Sequence, residues 1–306
     1  MHKIAFIIGE RFVYWTPIML AFGLAAAVCM FLAIHLGHTG KATCAFLAVP
    51  LSIILALVFG RLVYWFCVPT GYNSIVLALT DFGTEGFALA GIVVGCVLSA
   101  GLMRLVGLCD DLPAMLDSMS LAGLFGLAVG RLNHFFNEGG LSAAAERQIP
   151  VFVYQALSCA ALFVGLLIFF LILGRKRAGD TCLFACLLYG MTQVLLGGLR
   201  ADALVLPFGG GLALAQISGY ALVMLAVVAT MVKLFGNQGF KWWYLCLWIP
   251  LAGGIVWVGI LINDLRSNII ADPTALLMLA AVVVLTLVNY VLGFIKKRTA
   301  RFLRTE

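Results

Sequence analysis

Three permanently charged side chains stand in or beside apolar runs of this chain. They are Arg61 in Gly60-Arg61-Leu62, Arg131 in Gly130-Arg131-Leu132, and Arg200 at the close of a further run. A guanidinium keeps its charge in a protein, so placing it in hydrocarbon is costly and demands a reason. Its planar fork donates two parallel hydrogen bonds, which suits a phosphate. A pocket that gathers such charges would hold an anionic headgroup and stabilise negative charge growing on it. The plainer explanation is snorkelling, in which each long side chain only carries its charge to the interface. One arginine is explained equally well either way; three on alternate helices at one depth favour the pocket.

Other polar residues fall near the same level. Asn133, His134 and Asn137 follow Arg131, Tyr154 and Gln155 begin the next apolar run, and Gln216 and Ser218 begin a later one. His134 is the only histidine near this group, and histidine is the usual proton shuttle near neutral pH. An interfacial histidine that only hydrogen-bonds is an equally good reading.

The elements that must carry these residues are membrane helices. The chain is 64% hydrophobic and 10% charged, with mean hydropathy +1.13, whereas soluble domains are nearer half apolar and a quarter charged. A span needs roughly 20 apolar residues, and nine are expected, over about 13–36, 42–67, 84–107, 113–136, 150–174, 182–200, 209–233, 242–263 and 273–295. The fold class is therefore all-α, a polytopic integral membrane protein. Glu10 and Arg11 interrupt the first apolar run, and no small-residue cleavage site follows it, so it reads as a span rather than a detachable leader. The nine cysteines are scattered without a C-x-x-C pair; they read as small apolar residues, with no metal site and no cofactor expected.

Lys/Arg bias sets the orientation. The tail with Lys296, Lys297, Arg298, Arg301 and Arg304 is placed in the cytoplasm, which puts the N-terminus outside. Twelve of the nineteen basic residues then lie inside and five outside, with Arg61 and Arg131 within spans. Spans two, four and six all run outward, so the three arginines approach the outer-leaflet headgroup level. At 1.5 Å per residue, Arg61 stands on the order of 9 Å below the end of its span. The net charge of +6 is mostly this inside bias and implies no nucleic acid partner. The spacing Gly-Arg-Leu-x-x-x-Phe occurs at 60–66 and again at 130–136. Glycine before each arginine permits close helix approach, which would help bring the two charges together.

Several segments resemble, in order over residues 11–235, those of the bacterial prolipoprotein diacylglyceryl transferases. Arg11-Phe-Val-Tyr-Trp-Thr-Pro-Ile-Met is similar to the segment opening that family's first span. Phe59-Gly-Arg-Leu-Val-Tyr-Trp-Phe resembles its second-span motif, and Gly130-Arg-Leu-Asn-His-Phe-Phe-Asn its Gly-Arg-x-Gly-Asn-Phe-x-Asn-Gly-Glu signature. Pro150-Val-Phe-Val-Tyr-Gln resembles Pro-x-Gln-Leu-Tyr-Glu; Tyr189-Gly with Arg200 resembles the sixth-span motif, and Ala215-Gln-Ile-Ser a Gly-Gln-x-x-Ser pattern.

The resemblance implies transfer of a diacylglyceryl group from phosphatidylglycerol to the lipobox cysteine of a prolipoprotein. The reaction occurs at the outer face of the bacterial inner membrane. It implies a seven-span core over 1–236, with 237–306 an added two-helix hairpin and basic cytoplasmic tail. The implied partners are phosphatidylglycerol, the prolipoprotein signal peptide and membrane lipid. Arg131 is the implied catalytic cation, and His134, read from its residue type, is taken as its catalytic partner. Arg61, Asn137, Tyr154, Tyr189, Gln193 and Arg200 are the implied substrate-binding residues.

The sequence also departs from the pattern. The family's third-span His-Gly-Gly is here Gly86-Phe-Ala-Leu-Ala-Gly; the signature's first asparagine is His134, and its Gly-Glu order is reversed at Glu138-Gly139. Gln193 stands where the family carries arginine, Gly197 at its next acidic position, and Gln155 where it has glutamate. Cationic residues are partly kept while the proposed base is gone. Two readings follow: a divergent transferase, with His134 taking over proton handling, or a non-catalytic relative that binds a phospholipid headgroup or a membrane partner. A small-solute transporter is a weaker third, because transporters place charges near the bilayer midplane.

Overall fold

The computed structural model describes residues 4–8, 11–68, 75–80, 86–132, 151–197, 204 and 214–238. The chain opens with an antiparallel hairpin, β1 (Ile4–Ile8) and β2 (Arg11–Tyr14), paired from Ile8↔Arg11 to Ile4↔Tyr14 with a register shift between Ile4 and Phe6. This hairpin is the one departure from helix among the described elements. The helices are α1 (Trp15–Thr39), α2 (Ala42–Cys67), the six-residue α3 (Ile75–Thr80), α4 (Leu89–Leu105), α5 (Leu112–Gly130), α6 (Val151–Ile172), α7 (Asp180–Gly197) and α8 (Leu214–Gln238). Seven are long, and they fall on the first seven expected spans. The expected eighth and ninth spans lie outside the described residues.

Among the described residues, four stretches are long and apolar enough to cross a bilayer: Ile18–Thr39, Ala42–Cys67, Leu112–Gly130 and Val153–Ile172. The apolar stretches Leu89–Leu105, Asp180–Leu196 and Leu214–Thr230 are shorter. At 1.5 Å per residue, seventeen residues reach about 26 Å, just under a hydrocarbon core of about 30 Å. Large apolar side chains stand more than half exposed on these helices, among them Phe22 at 61%, Phe46 at 60% and Leu157 at 59%. In water such faces would be unfavourable; against lipid they cost nothing.

The described residues form two compact units, with the division inside α7 after Ala185. In the first, α1 packs on α5 and α2 on α4, with further contacts between α5 and α6. Small residues make the close crossings. A Cβ on Gly23 would meet the Gly126 carbonyl at 2.8 Å, and one on Gly95 would meet the Leu55 carbonyl at 2.5 Å. Without a hydrophobic force between helices in lipid, this close backbone approach is what holds them. A bond between the Ser52 and Ser99 hydroxyls, at 2.6 Å, adds a polar tie between α2 and α4.

These crossings fix the helix directions. Gly23 of α1 meets the end of α5, whereas Phe31 joins Met115 and Ala122 near its start. Gly91 of α4 meets Phe59 and Gly60, and Gly95 meets Leu55. Both pairs are antiparallel. Phe31, Cys44, Met103, Cys109 and Met115 share one apolar core, where α1 and α4 end and α2 and α5 begin. The exposed Lys41 and Asp110 form an ion pair at this end. Hence α2 and α5 run the same way and carry Arg61 and Arg131 towards the opposite end.

In the second unit, α7 and α8 approach through Gly190 and Gly219. A Cβ on either would meet the other's carbonyl, at 2.7 Å from Gly190 and 2.6 Å from Gly219.

Candidate anion-binding site

Arg131 is the first residue past the end of α5. Helical backbone bonding persists to its own N–H, which donates to Leu127 O at 3.0 Å. The expected span ran on to 136; α5 instead stops at Gly130. A helix C-terminus carries unsatisfied carbonyls and partial negative charge, which favours a cation there. From this position Nη1 of Arg131 donates a hydrogen bond to Oε1 of Gln155. Gln155 lies near the start of α6 and is completely buried. Arg131 Nε and Gln155 Nε2 are both buried with no hydrogen-bond partner among the described residues. The pair therefore presents donors and a net positive charge, and no carboxylate ion-pairs with Arg131 among the described residues.

Arg61 is held differently. It is 1% exposed, its Nη1 donates to Gly86 O at 2.8 Å, and its guanidinium lies over the Phe87 ring, 4.9 Å from the centroid. The Ala88 N–H donates to Gly60 O at 3.0 Å beside it. The charge thus pins the segment leading into α4 against α2. Gly86 has φ +155, and a Cβ there would overlap the Tyr64 ring, so only glycine lets its carbonyl reach Arg61.

The two Gly-Arg pairs are not built to meet through their glycines. Gly60 faces Ile92 and Phe87 on the α4 side, while Gly130 faces Gly23 of α1. Each glycine seats its helix on a different neighbour, which corrects the expectation that they draw the two charges together.

The other expected residues divide by place. Tyr154 is 43% exposed, beside the buried Gln155 on α6. Tyr189 and Gln193 are both buried, one turn apart on α7. Gln193 belongs to the close α7–α8 crossing, its Cβ 3.1 Å from where a Cβ on Gly219 would sit. Gln216 is buried on α8, and the Ser218 hydroxyl donates to Ala215 O at 3.0 Å. His134, Asn137 and Arg200 lie outside the described residues.

One important residue was missed in the sequence. Asp117, fully buried within α5, accepts the Gly179 N–H on Oδ2 and the Cys182 N–H on Oδ1, both at 2.6 Å. It satisfies two donors at the start of α7 that would otherwise be orphaned, and its charge suits that helix end. An aspartate in an apolar span flags the need for a partner, but those partners lie more than sixty residues along the chain.

The apolar helices define a multi-pass helical membrane protein. The family model described as prolipoprotein diacylglyceryl transferase matches residues 3–232. The chain belongs to that family. A curated relative from Oceanobacillus iheyensis, named phosphatidylglycerol–prolipoprotein diacylglyceryl transferase, is 25% identical over 232 residues, covering 66% of this chain and 78% of its own.

Proposed function

We propose that this protein transfers the diacylglyceryl group of phosphatidylglycerol to the lipobox cysteine of prolipoproteins at the outer face of the bacterial inner membrane. Family membership supports the reaction class, and the relative's name supports the two substrates. The observation that carries the reading is Arg131, a cation at a helix end with no carboxylate partner among the described residues and a buried N–H without an acceptor. The proposed architecture is a seven-span core over 1–236 with a two-span hairpin over 237–306, N-terminus outside and C-terminus cytoplasmic.

In the reaction the cysteine thiolate forms a sulfur–carbon bond to the glyceryl carbon. The carbon–oxygen bond to phosphate breaks, and its electron pair leaves with glycerol phosphate. The phosphodiester begins with one negative charge and the departing monoester gains a second. A cation held where that charge grows lowers the barrier, most strongly in a dry, low-dielectric site. Arg131 takes this part, with Arg200 supporting it and His134 taking the thiol proton. Asn137 and Tyr154 orient the headgroup. Arg61 acts by holding the entry to α4 in place.

The second reading, a relative that binds the headgroup without transfer, draws on neutral amides at Gln155 and Gln193 where the resembling pattern is charged. Retention of phosphatidylglycerol by purified protein tests what both readings share: Arg131→Ala loses retention and Arg147→Ala keeps it. Equal retention in the two variants would return Arg131 to snorkelling. Conversion of a reporter prolipoprotein in cells depleted of their own transferase separates the two readings.

A further inference from the structure

The Arg131–Gln155 contact has an unequal hydrogen-bonding inventory. Guanidinium has donors only, and an amide has one acceptor oxygen and two N–H donors. The acceptor is already used, because Oε1 receives Nη1 of Arg131. That bond also fixes which end of the amide is oxygen. What remains is Nε2 of Gln155 and Nε of Arg131, both buried and both without an acceptor. Buried donors are normally satisfied, and burial without a partner is unfavourable. The combined charge of the pair is +1, since the amide cannot offset the guanidinium as a carboxylate would.

We propose that Gln155 is a ligand-contacting residue: its amide N–H donates to a phosphate-type oxyanion held beside Arg131, and its neutrality keeps that site cationic. This rests on the proposed lipid-phosphate site and deepens it. A phosphate supplies what the pair lacks, several acceptor oxygens and a negative charge. Gln155 is completely buried, so the oxyanion, and not bulk water, satisfies Nε2. A carboxylate at 155 would still accept from Arg131, but it would neutralise the charge and place an acceptor against the oxyanion.

The test uses the full chain, purified in neutral detergent, with phosphatidylglycerol as probe and diacylglycerol as the phosphate-free control. Gln155→Glu preserves the acceptor for Arg131 and so preserves the fold, which an unchanged thermal midpoint verifies. It is expected to weaken phosphatidylglycerol binding at least tenfold. Gln155→Met, which removes the N–H donor without adding charge, is expected to weaken it three- to tenfold. Diacylglycerol binding should be the same in all three proteins. Inorganic phosphate is then added as competitor. Displacement of the lipid supports a site that takes the free ion as well, and persistence of the lipid supports a site that takes the phosphate only as a headgroup. Wild-type phosphatidylglycerol affinity in Gln155→Glu overturns the inference. If Arg131→Ala also loses binding in that case, the lipid-phosphate site survives; if Arg131→Ala binds as wild type too, both fall.

Discussion

Nη1 of Arg131, just past the end of α5, donates to Oε1 of Gln155 near the start of α6. One hydrogen bond thus joins a helix C-terminus to the opening of the next described helix. The polar segment between them, 133–150, also carries His134 and Asn137.

Arg131→Lys separates fork from charge. Lysine keeps the cation but loses the planar donor set. Binding of phosphatidylglycerol should fall about tenfold or more, roughly the worth of one charge-assisted hydrogen bond, with less loss than in Arg131→Ala. Lipid titration of both variants checks the order. Equal affinities for Lys and Arg at this position would reduce the site to point charge.

Arg61→Met should act on stability rather than on lipid. It removes the bond to Gly86 O and the contact with the Phe87 ring, together worth about 2–4 kcal/mol. The thermal midpoint in detergent should drop by several degrees. A wild-type midpoint combined with lost phosphatidylglycerol binding would make Arg61 a ligand residue instead.

Asp117 gives a graded series. Asp117→Ala strips two backbone donors of their acceptor and should cost roughly 2–5 kcal/mol; Asp117→Asn keeps one acceptor oxygen and should cost less. Thermal unfolding measures both. An asparagine variant as unstable as the alanine variant would show that charge, not bonding capacity, is what the start of α7 requires.

Glycine substitutions report on the helix crossings. Gly95→Leu places a side chain against Leu55 O and Ala56 N, at 2.5 and 2.7 Å from the Cβ alone, and should prevent α4 from seating on α2. Gly101→Ala meets nothing within 4 Å and should be neutral or slightly stabilising, because alanine is the better helix former. Folded yield by size-exclusion chromatography compares them. Full yield from Gly95→Leu would contradict the close crossing.

Much of this architecture was legible in the sequence because apolar length is a strong signal in membrane proteins. The expected span 42–67 coincides with α2 (Ala42–Cys67), and the second Gly-Arg pair falls at the end of α5. The hairpin Ile4–Ile8 with Arg11–Tyr14 was not foreseen, since a short apolar run gives no clear period. The end of α5 at Gly130 was also missed. Leu132, Phe135 and Phe136 extended the expected span past Arg131, whereas hydrogen bonding ends the helix earlier. Tertiary partners were the least visible. Gln155 looked like a lost charge until Arg131 was found against it, and Asp117 bonds two backbone donors that no local pattern announces.

Reporter conversion in transferase-depleted cells is the decisive measurement of transferase activity. The chain is expressed at wild-type membrane levels, and the gel shift of a prolipoprotein is followed beside Arg131→Ala at the same level. The intact chain should lipidate the reporter and the variant should not. Absence of conversion by the intact chain would contradict the transferase reading, and conversion undiminished in Arg131→Ala would contradict the assigned part of that residue.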